Sequence, residues 1–239
     1  MIEKLWPSGP FFRYDADVLS PGIDSILLAY FAGCAQIKKK NYAIDLGCGS
    51  GIISVLLAWD NPGMKVDCVE IQPHAAQLAT CNATLSGMAD RINVIEGDMR
   101  DYATLFRKGF YDVAISNPPY HRLGSGKSAS REKIAAARFE ETCSIFDVCR
   151  AAGYLTGNGG SFFLVHLPSR LAEVFRALDN SGFEPKRLRF VQHSHLTPPT
   201  LVLIESRRGG KPTIKVEAPI ILVNNDGSDT DEMNVVYRR

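Results

Sequence analysis

Tyr42-Ala43-Ile44-Asp45-Leu46-Gly47-Cys48-Gly49-Ser50-Gly51-Ile52-Ile53-Ser54-Val55-Leu56-Leu57 runs from one apolar stretch through a glycine loop into another. The first stretch reads as a strand over 42–46. The second reads as a helix over 51–59, apolar nearly all round and therefore buried. Glycine between a strand and a helix lets backbone approach a ligand closely. The helix start adds unpaired N–H groups. The spacing is GxGxG with Asp45 ahead of it, not the GxGxxG of a dinucleotide fingerprint. A nucleoside cofactor other than a nicotinamide dinucleotide is the expectation.

Outward from this unit the chain keeps alternating strand and helix. Strands are expected over 66–71, 92–95, 111–116 and 161–166, and helices over 73–85, 132–152 and 170–178. Pro73 stands near a first turn, where a missing N–H costs little. Leu171, Val174, Phe175 and Leu178 share one helical face. Two final strands, over 188–192 and 201–205, have no helix between them, so one runs antiparallel. The result is an α/β fold: a Rossmann-like, seven-stranded, mostly parallel sheet with helices on both faces and an antiparallel last strand. Residues 1–40 form an N-terminal extension expected to pack on or over the active site. Its helix over 24–31 is capped by Asp24 and stopped by Gly33. Residues 41–210 form the main domain. Residues 211–239 form a tail or small hairpin, with 220–223 as one arm beside the turn signal Asn224-Asn225-Asp226-Gly227.

The chain has 239 residues, 45% of them hydrophobic, which is enough for one sizeable core. No run of eighteen apolar residues suggests a membrane span, and the N-terminus has no signal-peptide layout. Six scattered cysteines without CxxC spacing read as reduced, cytosolic thiols, so a cytoplasmic protein is expected. The formal net charge of +1 does not announce a nucleic-acid binder, but the basic residues are grouped. The groups are Lys38-Lys39-Lys40; Arg122, Lys127, Arg131 and Lys133; Lys186, Arg187 and Arg189; and Arg207, Arg208 and Lys211. His193 and His195 would share a strand face, but no third ligand stands near them, so no metal is expected.

Two carboxylates follow strand ends. Glu70, nineteen residues after Gly51, can accept from both ribose hydroxyls of a nucleoside. Asp98 follows the strand over 92–95, after Gly97. Asn117-Pro118-Pro119-Tyr120 then closes the strand over 111–116. This reads as a pocket for a planar amino group. The Asn117 side-chain oxygen and the Pro118 carbonyl are two acceptors for its two hydrogens. The prolines lack N–H groups and fix φ, which holds the carbonyls rigid. Tyr120 can stack on a flat acceptor. Catalysis here is by positioning and electrostatics, without a strong general base.

The two motifs together resemble those of class I S-adenosylmethionine-dependent methyltransferases. In finer detail the chain resembles the bacterial tRNA1(Val) adenine N6-methyltransferase family. Asp24-Ser25-Ile26-Leu27-Leu28, Ala137-Arg138-Phe139-Glu140 and Lys186-Arg187-Leu188-Arg189-Phe190-Val191 carry that finer resemblance, although Phe139 stands where the family more often has histidine. The resemblance implies S-adenosyl-L-methionine as cofactor, held by Asp45, Gly47, Gly49, Gly51, Glu70, Ile71, Asp98, Met99 and Asn117. It implies catalysis at Asn117, Pro118, Pro119 and Tyr120, on adenine N6 of a tRNA or other structured RNA. Such a base must be splayed out to reach the pocket. Arg122, Lys127, Arg131 and Arg138 are the expected RNA contacts, on a basic loop over 121–131 and just after it. A glutamine amide of release factor, or another amino group in RNA or DNA, is the alternative acceptor, and a non-catalytic RNA-binding module the alternative class.

Overall fold

The computed structural model describes residues 1–15, 18, 21–34, 41–119 and 143–238. Strands β1 (Ile2–Lys4) and β2 (Phe11–Arg13) pair as a small antiparallel hairpin. Helix α1 (Ile23–Gly33) follows. The core then runs β3 (Tyr42–Leu46), α2 (Ile52–Asp60), β4 (Lys65–Glu70), α3 (Pro73–Leu85), β5 (Ile92–Glu96), α4 (Tyr102–Leu105), β6 (Tyr111–Ser116), α5 (Ile145–Leu155), β7 (Thr156–His166), α6 (Leu171–Asn180), β8 (Phe183–Gln192) and β9 (Leu201–Arg208). Two-residue strands β10 (Lys215–Val216) and β11 (Ile220–Ile221) and a short helix, α7 (Asp231–Val236), complete it.

The seven long strands lie in the order β8-β9-β7-β6-β3-β4-β5. All run parallel except β9, which is antiparallel to both neighbours. The expected seven-stranded, mostly parallel sheet with an antiparallel last strand is therefore present, and β10 and β11 add parallel fragments along β8. Side chains alternate across the sheet as strand geometry demands. Phe163 and Val165 face the core under α1, α2 and α3, while Phe162 and Leu164 face the core under α5 and α6. Both faces of the central strands are buried, which is why they read as unbroken apolar runs.

From β3 the chain winds outward to β4 and β5, then returns to β6 and winds the other way. The gap between the carboxyl ends of β3 and β6 is thus the switch point at which open α/β sheets bind ligands. Ser116 Oγ donates to the Leu46 carbonyl at 2.7 Å and ties those two strand ends together.

Several element expectations need correction. Helix α1 starts after Gly22, not after an Asp24 cap; Asp24 lies inside the first turn, where its Oδ1 accepts from the Ser25 N–H. Gly33 is its last residue and Cys34 follows as the C-cap. A continuous helix over 132–152 is broken at Ser144, whose extended backbone forms a reciprocal capping box with Asp147. Residues 132–142 of that expectation lie outside the described residues. The tail is not a full hairpin. Ile220 and Ile221 pair with β8, and only a Val223–Asp229 bridge spans the turn. Helix α7, capped by Thr230, buries Met233 and Val236 in the core. No helix among the described residues is long and apolar enough to cross a membrane.

Candidate active site

The glycine loop needs glycine at three positions. Gly47, Gly49 and Gly51 have φ of 76°, 54° and 83°, in the left-handed region that costs other residues about 1–2 kcal/mol each. A Cβ on Gly51 would stand 3.1 Å from that of Ala79 in α3, so this glycine also sets how closely the loop packs. A Cβ on Gly49 would meet nothing within 4 Å. That position opens onto free space, as a loop facing a ligand should.

Asp45 is fully buried beneath α2 and accepts from Ser54 Oγ at 2.7 Å through Oδ2. Its Oδ1 is buried with no hydrogen-bond partner. Burial pushes its pKa up to about 7, with the Glu70 charge adding to the rise and the Ser54 bond opposing it. A buried, unsatisfied acceptor is costly unless something completes it. Glu70, 4% exposed at the end of β4, accepts the Gly49 N–H at 2.9 Å and the Gln72 N–H at 2.9 Å. Burial raises its pKa and the backbone donors hold it down.

Beside this loop lies a small cavity lined by Gly47, Val69, Ile71, Asp98, Met99 and Cys143 among others. Ile71 is 39% exposed, whereas Met99 is buried with its side chain against Gly47. Asp98 caps the short turn that follows β5, accepting the Arg100 N–H at 2.9 Å, and its carboxylate is paired with the Arg100 guanidinium. That pairing holds its pKa below the usual carboxylate value. These residues fit a nucleoside cofactor. Gly47, Ile71, Asp98 and Met99 line the cavity, the open side of Gly49 and the backbone-held Glu70 carboxylate belong to the adjoining loops, and the Asp45 carboxylate lies fully buried beneath them.

Asn117, Pro118 and Pro119 leave the end of β6, next to the glycine loop across the switch point. Asn117 Nδ2 donates to Ser25 Oγ in α1 at 2.9 Å. Tyr120, Arg122, Lys127, Arg131 and Arg138 lie outside the described residues, as does the Lys38-Lys39-Lys40 group. The third basic group is largely engaged within the fold. Arg187 bonds Glu205 at 2.8 Å and the Phe31 carbonyl at 2.9 Å, and stacks over the Phe31 ring at 4.1 Å. Arg189 grips Glu232 in a two-point contact at 2.6 and 2.7 Å. In the fourth group, Arg208 bonds the Ser181 carbonyl and lies over Phe183. Among the described residues no cluster of three or more His, Cys, Asp or Glu could hold a metal.

Two residues at the site were given no role by the sequence reading. Ser25 is the one polar member of the buried face of α1. Asn82, fully buried in α3, donates to the Ser50 carbonyl at 3.0 Å and exchanges bonds with the Arg13 backbone. It thereby fastens the N-terminal hairpin to the glycine loop. The available signal was the same for both: a polar residue interrupting an otherwise apolar helical stripe.

Comparison with known proteins agrees with this architecture. The family described as "Methyltransferase small domain" matches residues 25–168. A tRNA1(Val) (adenine(37)-N6)-methyltransferase of Dickeya chrysanthemi is 32% identical over 211 residues, covering 87% of this chain and 80% of that one. One from Escherichia coli O9:H4 is 32% identical over 180 residues, covering 75% and 71%. Among solved structures, a predicted O-methyltransferase from Agrobacterium tumefaciens superposes with a TM-score of 0.73 at 20% identity, covering 90% of this chain and 95% of that one. At that identity the likeness speaks for the fold alone. With the glycine loop, the buried acids and the Asn-Pro-Pro segment around one switch point, this chain belongs to the methyltransferase small domain family and is a class I S-adenosyl-L-methionine-dependent methyltransferase.

Proposed function

We propose that this enzyme methylates the exocyclic N6 of adenine in RNA, and that the RNA is a tRNA presenting the adenine beside its anticodon. The observation that carries the reading is the Ser116–Leu46 hydrogen bond, which sets the Asn-Pro-Pro segment alongside the glycine loop. The names of the relatives support the choice of adenine in tRNA.

Adenine's amino nitrogen is a poor nucleophile because its lone pair is shared with the ring. Asn117 Oδ1 and the Pro118 carbonyl accept its two hydrogens and draw it toward a tetrahedral shape, freeing the lone pair. Tyr120 stacks on the base. Asp45, Glu70 and the backbone of Gly47, Gly49 and Gly51 hold the methionine and ribose parts of the cofactor. Ile71, Asp98 and Met99 take its adenine. The bound S-adenosyl-L-methionine supplies an electrophilic methyl group. Transfer of that methyl would break its bond to sulfur as the bond to nitrogen forms, and the amine's surplus proton would pass to solvent. Arg122, Lys127, Arg131 and Arg138 contact RNA phosphates beside the pocket, in the cytoplasm.

The test offers labelled S-adenosyl-L-methionine with total tRNA, ribosomal RNA, DNA and release factor, with Asn117→Ala alongside. N6-methyladenosine in tRNA, strongly reduced but measurable in the variant, is the expected product. Methylglutamine in release factor would overturn the acceptor and leave the enzyme class standing.

A further inference from the structure

Asn117 is the residue on which the chemistry above turns, and an amide can face its substrate in two ways. With Oδ1 forward it accepts from the acceptor's amino group. With Nδ2 forward it sets one N–H donor against another and gives nothing to the reaction. The end of β6 alone does not choose between them, because rotation about the amide carbon exchanges two groups of nearly equal size.

In this structure the amide meets α1 through Nδ2. Ser25 is 7% exposed and is the one hydroxyl among the buried residues of that helix, surrounded on its face by Leu27, Leu28, Ala29, Phe31 and Ala32. Its Oγ receives the Asn117 Nδ2 at 2.9 Å, across 92 residues of sequence. A buried hydroxyl on an apolar helix face is retained at a cost unless it is satisfied, and here the catalytic amide satisfies it. Once Nδ2 is committed to α1, Oδ1 is the amide's remaining polar group, and no described residue donates to it. The helix that carries Ser25 is itself fixed, because Arg187 both stacks on Phe31 and bonds its carbonyl.

We propose that Ser25 is a positioning residue, whose hydroxyl oxygen holds the Asn117 amide with Oδ1 presented to the amino group of the acceptor. The proposal rests on the amino-acceptor reading of the site and adds to it a specific task for the N-terminal extension. Ser25 touches neither acceptor nor cofactor; it acts through Asn117.

The test compares Ser25→Ala, Ser25→Thr, Asn117→Ala and the Ser25→Ala/Asn117→Ala double variant. Transfer of labelled methyl is followed to whichever acceptor the wild-type enzyme modifies. Ser25→Ala should lower kcat about tenfold or more while KM for S-adenosyl-L-methionine stays within about twofold, the scale on which supporting residues around a site act. Ser25→Thr, which keeps the hydroxyl, should recover most of the rate and covers the case in which the alanine variant folds poorly. In the Asn117→Ala background, removing Ser25 should cost less than about twofold, because residues in one network couple. Full multiplication of the two losses, or an unchanged kcat in Ser25→Ala, would overturn the proposal. If the wild type labels a protein amide, the RNA reading fails by itself, and the dependence on Ser25 is read on that amide.

Discussion

The backbone N–H of Gly49 donates to Glu70 Oε2 at 2.9 Å, so the loop after β3 and the carboxylate after β4 form one unit. Gly49 and Gly51 play different parts in it. Gly49→Ala adds a methyl where nothing lies within 4 Å, so its cost to folding is the left-handed backbone alone, about 1 kcal/mol. The added methyl points into the open side of the loop, and the rise in melting temperature caused by S-adenosyl-L-methionine should disappear. Gly51→Ala pays the same strain and also pushes against Ala79, so the unliganded protein itself should melt lower than Gly49→Ala. Thermal unfolding with and without cofactor separates the two.

Asp45 predicts an unusual pH dependence of stability. Its pKa in the folded protein is about 7 against an ordinary 3.8, so folding favours its protonated form. That contribution is complete below about pH 4 and is lost as pH rises to about 7. The slope is at most about 1.4 kcal/mol per pH unit for one proton. His166 acts the other way. Burial, aided by the Arg170 charge, lowers it to about 4, so its contribution is complete above pH 6.5 and is lost as pH falls through 4. Asp45→Asn should therefore remove the neutral-side loss and leave the acid-side loss more visible. Urea unfolding of the cofactor-free protein between pH 4 and pH 8 measures both.

Arg187 should behave as a structural residue rather than a phosphate contact. It is largely buried, pairs with Glu205 at 2.8 Å and stacks on Phe31. Arg187→Ala strands the Glu205 carboxylate and should cost roughly 2–4 kcal/mol of stability. RNA affinity, measured on the fraction that remains folded, should keep its wild-type salt slope.

The group after the Asn-Pro-Pro segment should show the opposite behaviour. Replacing Arg122, Lys127 and Arg131 together by glutamine should weaken RNA binding and shallow the slope of log K against log salt by up to about 0.7–0.9 per lost contact. Melting temperature and cofactor binding should hold. Fluorescence anisotropy across a salt series reads this, and an unchanged affinity would remove these residues from the RNA interface.

The strands and helices nearest the crevice were legible because their patterns are local. The strand over 111–116 and the helix over 73–85 have the bounds that periodicity and Pro73 suggested. What was hidden is either short or long-range. β1, β2 and α7 have three to six residues, too few for a period to show. The start of β7 is masked by Gly157, Gly159 and Gly160, which carry no strand pattern yet lie in a strand that begins at Thr156. Ser144 interrupts the expected long helix by starting α5 through a cap whose partner, Asp147, is an ordinary acidic residue in sequence. The bonds from Ser25 to Asn117 and from Asn82 to Arg13 span 92 and 69 residues, and no one-dimensional pattern announces a contact at such separation.

Tyr30 of α1 donates to Glu232, 202 residues further along, and Glu232 also clasps Arg189. Arg238 pairs with Asp60 and stacks over Trp6 at 4.2 Å. On the ribosome, then, the helix that carries Ser25 is made about 200 residues before the Glu232 segment that covers its outer side. A nascent chain that has already emerged through β6 holds both halves of the crevice yet lacks the clasp that steadies one wall. Activity should switch on when the segment around Glu232 and Arg238 clears the exit tunnel, rather than grow as each strand is added.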